Sequence, residues 1–353
     1  MKVLHKSFLL LIGFALVGQG CIQFGGSGST AGPDGGLWQT IDSGEIWNQL
    51  EALPSASGVG SIGGINVSAM EIDPSDPSAL YLGTEGNGMF YSYDSGSTWQ
   101  RPEDELARNG YVIDVEVDPR DVCTLYLLKS DRILKSVDCS RTYTSVFVET
   151  RSDEQLTTLA LDWFNPDVVW AGSSAGDVMQ SKDAGANWST VERLKSDVTD
   201  ILVSNADSRV VLVGTQSKGV YRRSTSGEWI ELEDDFDDYK QADKVYSLAQ
   251  TANGSLTLMN SKYGLFKSRD AGATWEALEL VTAPGEVRIW GMTMDPKDSN
   301  KIHYATINTL YQSTSGGDAW VTQEMPSARA AKVLQVHPVN TDILYAGFAV
   351  EED

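Results

Sequence analysis

Three aspartates stand in one recurring chemical setting. Asp94, Asp183 and Asp270 lie in "SYDSGSTW" (92–99), "SKDAGANW" (181–188) and "SRDAGATW" (268–275), each with a serine two residues before it, a glycine two after and a tryptophan five after. A carboxylate beside a hydroxyl can serve as a general acid or base. A catalytic centre, however, need not be written once per repeat. The same residue types suit a turn. The carboxylate accepts turn N–H groups, the glycine takes a positive φ, and the tryptophan buries roughly 2–3 kcal/mol worth of apolar surface. The box is read as a staple that holds a hairpin and wedges it against its neighbour.

Weaker copies extend the series. "TIDSGEIW" (40–47) keeps Asp42 and Trp47, and "SVDCSRTY" (136–143) keeps Asp138 with Tyr143 in the tryptophan slot. "STSGEW" ends at Trp229, and "STSGGDAW" ends at Trp320 with Ser315 in the aspartate slot. The aromatic positions are separated by 52, 44, 45, 41, 46 and 45 residues. A fixed period of this size marks a repeat architecture.

The remaining chemistry is sparse. His5 falls in the N-terminal segment, and His303 and His337 lie in strand or turn contexts. No zinc-ligand spacing, phosphate-binding loop or nucleophile elbow appears, and no cofactor is expected. "EDDFDDY" (233–239) is acidic, which makes Asp234, Asp235, Asp237 and Asp238 a weak calcium candidate against the plainer reading of a solvated loop. Cys123 and Cys139 flank a hairpin that turns near Ser130–Asp131, which sets them opposite each other and predicts a disulfide.

The elements that must position these residues are short strands. "AMEIDPSDPSALYLGTEGNGMFYSYD" (69–94) shows the grammar: an apolar strand ending at Asp-Pro, a second strand, a glycine turn and a third strand leading into the box. "VEVDPRDVCTLYLLKSDRILKSVD" (115–138), "LALDWFNPDVVWAGSSAGDVMQSKD" (159–183) and "MTMDPKDSNKIHYATINTLYQSTS" (292–315) repeat it. Runs rich in β-branched and aromatic residues, bounded by Gly, Pro, Asn and Asp, are strands joined by hairpins. With one strand after each box, every repeat makes a four-stranded antiparallel sheet. The expected fold is an all-β, seven-bladed β-propeller over 36–353. The N-terminal copy supplies only a third strand and box, and 333–350 supplies a first and second strand with no box, so the termini are expected to complete one blade together.

Here the chain resembles a known family. S-x-D-x-G-x-x-W is similar to the Asp-box, or bacterial neuraminidase repeat, matched fully by the three strong copies and nearly by 40–47. The resemblance covers roughly 36–350 and implies fold more than function. It is shared by sialidases, xyloglucanase-type glycoside hydrolases, sortilin-type sorting receptors and photosystem II assembly factors. Sialidase-type enzymes imply an arginine triad, and the arginines here are scattered, with no Arg-Ile-Pro signature before the first box. Xyloglucanase-type enzymes imply two carboxylates across a cleft between two propellers, and this chain supplies one ring. The sortilin-like comparison rests on "LYLGTEGNGMFYSYDSGSTW" (80–99).

Composition narrows the partners. The net charge is −22, which disfavours nucleic acid and anionic lipid. Residues 1–20 carry Lys2, His5 and Lys6 before an apolar run from Phe8 to Val17, and read as a secretory signal. Cys21 resembles a bacterial lipoprotein's lipidated residue, and "GGSGSTAGPDGG" (25–36) reads as a tether, so 21–35 is assigned as linker. Together these predict export to a bacterial cell envelope, lipid-anchored and periplasmic or at the outer surface.

For binding, inner-strand entries are the informative positions. Asp114, Asp200, Tyr246, Arg288 and Trp290 stand at such entries, and Asp114, Asp200 and Trp290 stand out as charged or bulky near the expected ring axis. The sequence reading is a monomeric, non-enzymatic propeller that binds a protein, peptide or glycan. Its alternatives are a glycoside hydrolase of xyloglucanase or sialidase type and an assembly-factor-like chaperone.

Overall fold

The computed structural model describes residues 34–232 and 236–351. The signal segment, Cys21, the tether up to residue 33, and Glu233, Asp234 and Asp235 of the acidic loop lie outside the described residues. The rest is a ring of seven antiparallel four-stranded sheets. Blade three is representative: Leu156–Leu161 innermost, then Val169–Ser173, Asp177–Ser181 and Ser189–Arg193 outermost. Each inner strand packs beside the next, and Ala330–Val336 packs beside Val67–Ile72, which closes the ring.

Closure follows the split read from the two ends of the repeat series. The seventh blade takes Ala330–Val336 and Leu344–Ala349 from the C-terminal side and Gly36–Thr40 and Trp47–Leu50 from the N-terminal side. Thr40 faces Leu344 and Gly36 faces Phe348 in antiparallel register. Beyond the sheet, Asp34 is held by Ser327 through its carbonyl and by Arg329 through its carboxylate at 3.1 Å.

The first blade departs from the pattern. After Met89–Ser92 its outer strand shrinks to one bridge, Tyr91 with Gln100. The chain then forms a single helical turn, Glu105–Arg108, capped by Asp104, whose other oxygen accepts the Tyr143 N–H at 2.7 Å. It returns as Gly110–Tyr111 to extend the second strand, Leu80–Gly86, so that Glu85 faces Tyr111.

The boxes are built as their residues require. Ser92 Oγ accepts the Gly96 N–H at 2.9 Å and donates to Asp94 at 2.7 Å, and Asp94 accepts the Thr98 N–H at 2.8 Å. Gly96 has φ +83°, and Ser95 before it has φ +58°. Asp42, Asp138, Asp183 and Asp270 repeat these contacts, and Ser315 accepts the Ala319 N–H in place of a carboxylate. The Thr142 hydroxyl and N–H hold the Asp138 carboxyl down at about 2. The tryptophans are less uniform than the sequence suggested. Trp99 is fully buried, whereas Trp47, Trp188, Trp275 and Trp320 are half-buried, because outer strands splay apart toward the perimeter.

Cys123 and Cys139 form a disulfide, and the Cys139 N–H donates to the Cys123 carbonyl. The bridge pins the degenerate box, where Ser140 takes φ +65° in the glycine position and Tyr143 is buried in the tryptophan slot.

Candidate functional site

Inner-strand side chains alternate between the packed space among blades and the central channel. On the face where outer strands cross to the next inner strand, the channel opens into a cavity of about 630 Å³ bounded by Tyr111, Tyr246, Arg288, Trp290 and Lys332. Three of the five expected binding residues meet here. The Arg288 guanidinium lies 3.8 Å from the Trp290 ring centre and 4.9 Å from that of Tyr246. A second cavity of about 480 Å³, lined by Glu286, Thr306 and Asn308, shares Arg288 and Trp290 with the first. Flat aromatic faces beside fixed polar groups can stack on a sugar ring and bind its hydroxyls.

Asp114 and Asp200 sit on the inner strands but do different work. Asp114 accepts the Val115 N–H and, across the blade boundary, the Leu159 N–H at 3.0 Å. Asp200 accepts the Ile201 N–H, the Leu248 N–H at 2.7 Å and the Thr158 hydroxyl. Each clips its blade to the next.

The sequence reading missed Glu85. Its side chain is 10% exposed; Oε1 takes Lys332 Nζ at 2.5 Å, and Oε2 is buried without a partner among the described residues. Ser174, Gln216, Lys262 and Ile307 stand at the matching point after the second strand of other blades. A carboxylate there, once in the series, was the available signal. Asp114 lies three positions after Tyr111, whose Cα faces Glu85.

Deeper in the channel Glu71 and Glu116 join Asp114 and Asp200. All four keep some exposed surface, yet the ring walls them off from bulk water. Burial, then Asp114 and Asp73, push Glu71 up to about 8. Burial outweighs the Leu159 N–H and, with Asp200, lifts Asp114 to about 7. Burial lifts Asp200 to about 6 against the Leu248 N–H, and burial with Glu71 raises Glu116.

A pH dependence follows. The folded ring keeps protons that the unfolded chain releases from about pH 4 upward, so stability falls as pH rises from about 4 to about 8 and then levels. Ionising one group hinders its neighbours, so the four act as roughly one or two titrations. Buried His303, held down to about 4 by burial, opposes this below its usual range, but it is one group against four. The melting temperature is expected to be roughly 3–6 °C higher at pH 5 than at pH 8.5. Thermal unfolding across that range checks it, and Asp114→Asn should flatten the slope. A melting temperature that is level or rises toward pH 8.5 contradicts it.

Other expected positions are structural. His337 Nδ1 accepts the Val339 and Asn340 N–H groups, the task Asp73 performs in its own turn. Phe236 is buried against Phe266 and Trp275, so this part of the acidic loop covers the core. Among the described residues no group of three or more His, Cys, Asp or Glu could hold a metal ion.

Comparison with known proteins corrects the functional reading. No family model matches the chain. It is 27% identical over 216 residues to a xyloglucanase of Hypocrea jecorina, covering 59% of this chain and 24% of that protein. A xyloglucanase, Xgh74A, of Acetivibrio thermocellus is 25% identical over 265 residues, 69% of this chain and 28% of that protein. The chain thus spans about a quarter of the length of the curated relatives it matches. Among solved structures, a GH74 enzyme of Niastella koreensis superposes with TM-score 0.65 at 17% identity, over 81% of this chain and 51% of that one. YCF48 bound to a D1 peptide does so with TM-score 0.59 at 14% identity, over 82% and 94%. These structures show the shared β-propeller fold. The expectation of a non-enzymatic propeller is overturned by the similarity to xyloglucanases, which backs the glycoside hydrolase alternative. That expectation gave weight to the single ring, and the similarity in sequence outweighs it.

Proposed function

We propose that the chain is a glycoside hydrolase acting on a β-glucan of the xyloglucan type. One observation carries the reading: the similarity to xyloglucanases runs through the sequence itself over 59% of the chain. The mouth geometry supports it. Trp290, Tyr246 and Tyr111 offer stacking faces for pyranose rings, and Arg288 and Lys332 offer donors to hydroxyls. Asp114, which keeps its proton near neutral pH, serves as the acid that protonates the leaving glycosidic oxygen. Glu85, which holds the mouth-lining Lys332, serves as the partner carboxylate. The recurring boxes belong to the Asp-box class and carry the scaffold. The N-terminal segment directs export, with Cys21 lipidated, which mass spectrometry of the mature N-terminus decides.

The test is release of reducing ends by the full chain from xyloglucan, mixed-linkage β-glucan, carboxymethyl cellulose and a sialyl-oligosaccharide. Release from xyloglucan or a related β-glucan is expected. No release from any β-glucan, or turnover of the sialoside instead, overturns the proposal.

A further inference from the structure

A second depression lies away from the axis, between the outer strands of blades two and three. Its volume is about 350 Å³, within the range of small-ligand sites. One wall is apolar: Trp188 meets Phe147 edge-on at 5.7 Å, and its Nε1 is satisfied by the Gly185 carbonyl. The other wall is a charge network. Arg151 forks onto Glu149 at 3.0 and 2.7 Å and reaches Asp177 at 2.8 Å, and Arg193 Nε meets Asp177 at 3.0 Å.

The ring does not need this network. Asp177 stands where the first and fourth blades have Gly88 and Gly219, at the same step after the second strand. Its side chain and that of Glu149 are nearly buried, at 6% and 5% exposure, and withdrawing carboxylates from water is costly. The network fixes Arg193, which is 77% exposed and among the described residues meets Asp177 through Nε alone. Arg193 lines the depression together with Trp188 and Phe147.

The geometry points to an auxiliary saccharide-binding site here, taking one or two neutral sugar units of the same polysaccharide that enters the channel mouth. Two arginines against two carboxylates leave no net charge, so a neutral polar ligand fits better than an anion. The aromatic wall takes the apolar face of a pyranose, and the Arg193 edge, Ser189 and Thr190 take its hydroxyls. The choice of ligand rests on the hydrolase reading above; the existence of the site does not.

The experiment uses the full chain with Arg193→Ala and Thr190→Trp, both at exposed positions, the second filling the depression. Affinity electrophoresis in xyloglucan gels reads polymer binding, and kcat/KM on a short soluble xylogluco-oligosaccharide reads the mouth. Each variant is expected to raise the apparent Kd for polymer roughly tenfold and leave kcat/KM unchanged. Unchanged polymer retardation in both variants overturns the inference, as does an equal loss on the short substrate. If the chain hydrolyses nothing yet both variants lose retardation, the site stands and the hydrolase reading falls.

Discussion

Glu85→Gln is expected to slow xyloglucan hydrolysis at least about 10³-fold while moving the melting temperature by no more than about 2 °C. Glutamine keeps the shape of the side chain and one acceptor for Lys332, but it can carry no negative charge and take no proton. The backbone at this position is fixed from both sides: the Glu85 N–H donates to the Asn66 carbonyl, and Tyr111 pairs across from it. A buried acceptor without a partner costs about 1–3 kcal/mol, so an unpaired Oε2 on a carboxylate that holds the mouth-lining Lys332 calls for a compensating use. Were Glu85 only half of a structural ion pair, the substitution would lower the melting temperature and leave kcat intact. That outcome, read by reducing-end release and thermal unfolding on the same sample, would remove Glu85 from the site.

Trp99→Ala is expected to cost about 3–5 kcal/mol and to lower the melting temperature by roughly 6–15 °C. Trp99 is fully buried, packs among Leu37, Val67, Leu80 and Tyr345, and donates Nε1 to the Leu50 carbonyl at 2.9 Å. Leu50 ends the outermost strand of the seventh blade, so this one side chain bolts the first blade to the seam. Trp188→Ala, at a half-buried copy of the same box, should cost less than half as much. Equal losses for the two variants would show that the seam has no special dependence on Trp99.

These expectations differ in how much of them the sequence could reveal. The blades were legible because period-2 strands, turn residues and the box recur at a nearly constant spacing, so each copy corroborates the next. The closure was legible from two fragments that complement each other. Of the inner-strand entries that stood out as charged or bulky, Asp114, Asp200 and Trp290, the mouth is lined by Trp290, where Tyr246 and Arg288 join it. Glu85 did not stand out, because it lies near the end of a second strand, where only the detour through Gly110–Tyr111 gives it a cross-strand partner. The roles of Asp114 and Asp200 were hidden because their partners, the Leu159 and Leu248 N–H groups, are backbone atoms 45 and 48 residues away. The depression near Trp188 was hidden because its charges come from two blades whose outer strands meet only in three dimensions.

The shared seventh blade also sets an order of events during synthesis. Gln39 bonds Tyr345 across 306 residues, so the earliest strand of the ring leaves the ribosome without its sheet partner. At about 5–20 residues per second that partner arrives roughly 15–60 s later. Until then Gly36–Thr40 carries an unpaired edge, and the inner strand of the first blade lacks one neighbour. The nascent chain therefore passes through an open arc whose two ends can meet each other or, in a crowded translation site, the ends of another copy. Completion of the last blade is the step at which the molecule commits to being one ring.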